Sequence, residues 1–78
     1  MIAAGQIAEM IGTRMRAARK SAGLSIDAAS IAAMISVNAI GRLEKGERLG
    51  HVYTILALCD AYGCDPAEIF AGIIVGYE

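Results

Sequence analysis

Asn38 and Arg42 stand four residues apart in the stretch ISVNAIGRLEKG, and Ile40 and Leu43 stand three apart in the same segment. Residues three and four apart are neighbours on a helix, so the two pairs occupy different faces. With Ile40 and Leu43 turned inward, Asn38 and Arg42 turn outward. A helix of this pattern packs on one side and offers hydrogen-bonding side chains to a groove on the other. Such side chains do recognition chemistry rather than catalysis.

The catalytic and metal-binding alternatives are poorly served. Cys59 and Cys64 are five apart and His51 is the single histidine. That is neither a zinc spacing nor a redox CxxC pair. Two small buried thiols are the simpler reading. No carboxylate pair, Cys–His pair or glycine-rich phosphate loop is present to support an enzyme. No metal and no cofactor are expected.

The elements that must position Asn38 and Arg42 follow from caps and periodicity. Ser25 opens one short helix, about 25–34, and Ser36 a second, about 36–45, because a serine hydroxyl accepts from the free amides of a first turn. Between them lie Ile31, Ala32, Ala33, Met34 and Ile35. Without a proline or polar loop the connection must be tight, and two short helices joined tightly form a helix-turn-helix. Ahead of them, Ile7, Met10, Ile11, Met15 and Ala18 recur at helical spacing and predict a first helix over about 6–21. Its polar side carries Arg14, Arg16 and Lys20, and Gly23 is its stop. A linker of Glu47 to Gly50 leads to a fourth helix, about 51–62, with Val52, Ile55, Leu56, Cys59 and Tyr62 as its apolar stripe. Asp65, Pro66 and Glu68 then supply cap, first-turn proline and third-position acid for a short fifth helix through Phe70. The first residues are expected to fray. The tail from Gly72 to Tyr77 is apolar and β-branched, a short strand or an irregular arm.

Composition bounds the rest. The chain has 78 residues, 56% of them hydrophobic but only four aromatic: Tyr53, Tyr62, Phe70 and Tyr77. The core must be built from Ile, Leu, Met and Ala, which suits close-packed helices in one small domain, its body at about 6–71 and a C-terminal arm at 72–78. No apolar run approaches the roughly 20 residues that span a bilayer. The N-terminus lacks the basic start and apolar centre of a signal peptide, so a cytoplasmic location is expected. Net charge is −1, yet between Ile11 and Gly50 seven basic residues face three acidic ones, a net +4, while the remainder holds five acids and no Lys or Arg. A domain with one phosphate-facing side shows such an asymmetry.

With these residues in view, the chain resembles the Cro/CI-type (XRE-like) helix-turn-helix domains of phage repressors and bacterial regulators. The resemblance runs from about Ile11 to Phe70. It rests on IGTRMRAARKSAGLS, on ISVNAIGRLEKGER and on ILALCDAYGCDPAEIF, with Arg-Leu-Glu-Lys-Gly at 42–46 and Gly-Leu-Ser at 23–25 the most specific elements. It implies an all-α, five-helix, lambda-repressor-like bundle that binds double-stranded DNA as a homodimer on a two-fold operator. In this family an arginine of the first helix pairs with the glutamate just after the recognition helix; the matching positions are Arg19 and Glu44. The base readers fall on Val37, Asn38 and Arg42. Arg42 suits the O6 and N7 of guanine, Asn38 the N6 and N7 of adenine, and Val37 only a thymine methyl. Ser36, Lys45 and Arg48 are candidate phosphate contacts.

The chain also departs from the family pattern. Ile26 stands where glutamine is usual, Ala29 and Ser30 replace the usual Leu and Ala, Met34 the usual turn glycine, and Ile31 a commonly charged residue. Gly41 weakens the reading helix. Ile26, Ile31 and Val37 together make the expected DNA face apolar, which suits a protein partner better than phosphate. Two readings follow: a repressor-like DNA-binding regulator, and a protein-interaction module that keeps the fold without DNA readout. For the first, phage regulators, restriction-modification controllers and antitoxins fit equally. The tail residues Phe70, Ile73, Ile74, Val75 and Tyr77 are apolar enough to cover the first and fifth helices or to cross to a second copy; the dimer is the preferred reading.

Overall fold

The first helix of the computed structural model, α1, runs Ala4–Ser21 and so begins two residues earlier than its periodicity predicts. The structure describes residues 2–73. Gln6 explains the early start: its side-chain Oε1 accepts from the Ala3 amide at 3.0 Å, which satisfies one of the free donors that open a helix. Four more helices follow: α2 Ile26–Ala33, α3 Val37–Glu44, α4 Val52–Tyr62 and α5 Pro66–Phe70.

The polar caps lie just outside the helices they start. Ser25 Oγ accepts from the Ala28 amide at 3.0 Å, Ser36 Oγ from the Ala39 amide at 3.1 Å, and an Asp65 carboxylate oxygen from the Ala67 amide at 2.9 Å. Replacing such a cap by alanine typically costs about 1 kcal/mol. α2 and α3 meet at a bend of 117°, the crossing expected of a helix-turn-helix. The turn is set by Met34, whose φ of 59° lies in the left-handed region, and the Ser30 hydroxyl donates across it to the Ile35 carbonyl. No single helix among the described residues is long and apolar enough to cross a membrane.

One core joins all five helices. Ile11, Met15, Ala29, Ile40, Leu43, Ile55, Leu58, Cys59 and Ile69 are buried together, with Tyr62 at the margin. The inward side of α4 differs from expectation. Leu58 is buried in place of Val52 and Leu56, which are exposed. Both arrangements have helical period, and the packing of α4 against α1, α2 and α5 selects between them. Arg14 is a second correction. It leaves the polar side of α1 and turns toward α5, donating to the carbonyls of Ile69 at 2.9 Å and Ala71 at 2.7 Å. It thereby caps the C-terminal end of α5, where the carbonyls lack helical partners.

Two glycines permit the helices to approach. α1 crosses the end of α3 at Gly12, where a Cβ would lie 2.4 Å from the Leu43 carbonyl oxygen and 2.8 Å from that of Glu44. Gly46 ends α3 with φ of 73° and sits against the Glu9 backbone, so it is required twice over: by conformation and by space.

Candidate nucleic-acid interface

The outer side of α3 is a ridge with a groove on each flank. Ile40 and Leu43 are buried, which leaves Asn38 and Arg42 exposed along the crest. On the side of α2 the groove is bounded by Ile26, Val37, Gly41, Lys45 and Glu47. On the side of α4 it is bounded by Ser36, Ala39, Arg48, His51 and Thr54. On the first flank Ile26, Val37 and Gly41 form an apolar stretch between charged rims, and the second carries the polar groups of Ser36, Arg48, His51 and Thr54. Asn38 and Arg42 border both.

Cations on the ridge are not ion-paired. Among the described residues Arg19–Glu44 is the one ion pair, so Arg42, Lys45 and Arg48 have no carboxylate partner there. Ser36 is exposed at the first turn of α3, next to free backbone amides that attract anions. Arg16 of α1 and Lys45 border a third hollow, with Gly41 and Ile26, which extends the basic surface toward α1.

Behind the ridge α3 is held by a buried pair. Arg19 Nε donates to one Glu44 carboxylate oxygen at 2.7 Å and Nη2 to the other at 3.0 Å, while Nη1 donates to the Leu24 carbonyl at 2.8 Å. The hydrogen bond to Glu44 holds the guanidinium proton more firmly than water does, raising the Arg19 pKa against the opposing effect of burial. The Tyr62 hydroxyl is buried in the electrostatic reach of this pair and has no hydrogen-bond partner. Burial, then the Glu44 carboxylate, push its pKa up to about 12, with Arg19 pulling the other way.

The apolar residues singled out by sequence do not form one face. Ile26 is half-buried and packs on the core, because it opens α2 directly beneath α3. Ile31 is 81% exposed and Val37 43% exposed. Met34, which the sequence marks only as a turn position, is 89% exposed, more than any other large apolar residue among those described. Val52, Tyr53 and Leu56 add an exposed strip on α4. Of the tail, Phe70 is exposed and Ile73 is half-buried against the core, whereas Ile74, Val75 and Tyr77 lie outside the described residues.

Cys59 and Cys64 are free thiols brought together at the end of α4, where the Cys64 amide donates to the Cys59 carbonyl at 3.0 Å. Burial, and then the hydrogen bond between the two thiols, push the Cys59 pKa up to about 12. A thiol so disfavoured as thiolate is a poor nucleophile. Among the described residues no cluster of metal-binding side chains occurs.

Sequence reasoning missed the groove itself. Gly41 reads as a weak point in a helix, and Ile26 as part of an exposed face. His51 and Thr54 become neighbours of α3 only once α4 is docked.

A bent helix pair, a ridge of outward polar side chains and basic charge without partners define a helix-turn-helix DNA-binding module. A helix-turn-helix domain family matches residues 11–70, and the chain belongs to it. This Cro/CI-like class is DNA-binding, non-enzymatic and tied to transcriptional regulation. No curated protein matches the sequence.

Proposed function

We propose that the protein is a sequence-specific transcriptional regulator that binds a two-fold operator as a homodimer, with α3 as its reading helix. The observation that carries this reading is the exposed pair Asn38 and Arg42 on α3, beside cations that lack carboxylate partners among the described residues. α3 enters the major groove. Arg42 there reads guanine through O6 and N7, Asn38 reads adenine through N6 and N7, and Val37 meets a thymine methyl. Ser36, Lys45 and Arg48 hold the phosphates on either side, fixing register without reading sequence. Two such helices one DNA turn apart read the two half-sites. Phe70, Ile73, Ile74, Val75 and Tyr77 form the dimer arm. Occupying the operator excludes polymerase, so the mode of action is repression by occlusion.

The test is fluorescence anisotropy on duplex DNA from upstream of the protein's own gene, against a scrambled duplex, across a salt series. Preference for the upstream duplex is expected, with log affinity falling linearly against log salt. Arg42→Ala should remove the preference at a cost of about 1–3 kcal/mol, and Lys45→Ala should weaken both duplexes alike. Absence of binding even at low salt would overturn the reading.

A second reading is carried by Ile31 and Met34, two large apolar side chains more than four-fifths exposed on the α2 side of the turn. They fit a protein-interaction module that keeps the fold without reading DNA. In that case Ile31→Ser abolishes partner capture, and Arg42→Ala leaves it intact.

A further inference from the structure

We infer that the notch formed by Ile26, Val37 and Gly41 on the α2 flank of the ridge receives the C5-methyl group of a pyrimidine, as thymine or 5-methylcytosine, in each operator half-site. The inference rests on the DNA reading proposed above and adds a specificity element to it.

Gly41 is the starting point. Glycine is disfavoured against alanine inside a helix, and where it occurs it lets another group come close to the helix backbone. Gly12 has such a reason within the fold, because the α3 carbonyls stand where its side chain would go. Gly41 has none: a Cβ added there meets nothing within 4 Å. The open space faces outward, one turn beyond Val37 on the same side of α3. A missing side chain on the outer face of a reading helix lets a group outside the protein approach the helix backbone.

The walls decide what that group is. Val37 is half-exposed, and Ile26 is held by its packing on the core, so one wall is fixed before anything binds. Neither offers a hydrogen bond, and a polar base edge placed between them would lose its water without replacement. Glu47 lies at the same groove and repels a phosphate there. Arg42 and Lys45 on its rim still favour nucleic acid overall, and Asn38 borders it with a base-reading amide. In the major groove the apolar group that base pairs present is the 5-methyl of thymine, which cytosine acquires on methylation. An apolar notch set between two base readers fits that methyl.

The experiment starts from a duplex selected from a random pool by the full-length protein. Each thymine of that duplex is then replaced singly by deoxyuridine, which removes the methyl and keeps the pairing. At one position in each half-site the replacement should weaken binding about fourfold, the worth of one buried methyl. Cytosine in a C·G pair at that position should bind more tightly when 5-methylated. Gly41→Ala fills the notch, and alanine favours the helix, so the variant keeps its fold while the thymine–uracil difference disappears. Val37→Ala should reduce the same difference. Wild-type affinity unchanged by uracil at every position, with salt-dependent sequence preference intact, would overturn the notch and leave the DNA reading standing. A difference that persists undiminished in Gly41→Ala would also overturn it. If no duplex is enriched and none binds at low salt, both readings fall together.

Discussion

Arg19 and Glu44, 25 residues apart in sequence, meet through two parallel hydrogen bonds of 2.7 and 3.0 Å with both side chains nearly closed to solvent. The pair joins α1 to the last turn of α3. Because Arg19 also donates to the Leu24 carbonyl just before α2, three helices take their relative positions from one guanidinium. The exposed ridge of α3 is thus oriented from behind by residues that do not lie on it.

Removing one partner strands the other charge in the interior. Arg19→Met and Glu44→Gln should each destabilise the fold by about 3–5 kcal/mol, read as a lower urea midpoint. Replacing both by apolar residues should recover much of the loss, since an apolar pair leaves no buried charge. A double variant as unstable as the worse single one would contradict this account.

The two helical glycines should respond in opposite directions to the same substitution. Gly12→Ala places a methyl against two carbonyl oxygens and should cost about 1–3 kcal/mol or more. Gly41→Ala meets open space and should gain about 1 kcal/mol. In a domain of this size each 1 kcal/mol moves the melting temperature by roughly 4–8 °C, so thermal unfolding separates them.

Met34 holds a left-handed conformation with its side chain in solvent, so it contributes little packing to offset the strain. Met34→Gly should stabilise the fold by about 0.5–1 kcal/mol, the steric penalty of that region less the extra chain entropy of glycine. A lower thermal midpoint would show that Met34 makes contacts worth keeping.

Alkaline pH should weaken the fold through two buried groups. Cys59 and Tyr62 both titrate near 12 in the folded chain, against ordinary values of 9.0 and 10.0. Between those limits the folded state keeps protons that the unfolded state has lost, so stability present below about pH 9 declines as pH rises toward 12. The decline should approach about 1.4 kcal/mol per pH unit for each group, measured by urea unfolding at pH 8, 10 and 11. Cys59→Ala should flatten the early part of the curve.

The sequence by itself determined the five helices, their caps and the resemblance, because these depend on residues within a few positions of each other. Ser25, Ser36 and Asp65 announce helix starts through local hydrogen bonds, and Arg-Leu-Glu-Lys-Gly marks the end of the third helix without reference to distant contacts. Tertiary structure decided which of two equally periodic faces went inward. It buried Leu58 and left Val52 and Leu56 outside, and it drew Ile26 onto the core. It took Arg14 from the basic surface to cap α5, and it turned Gly41 from a weak point in a helix into the floor of a groove. Periodicity specifies an angle around one helix axis, whereas burial depends on which neighbour that angle meets. The meeting of α3 with α1 is set by contacts between residues far apart along the chain, such as Gly12 with Leu43 and Arg19 with Glu44.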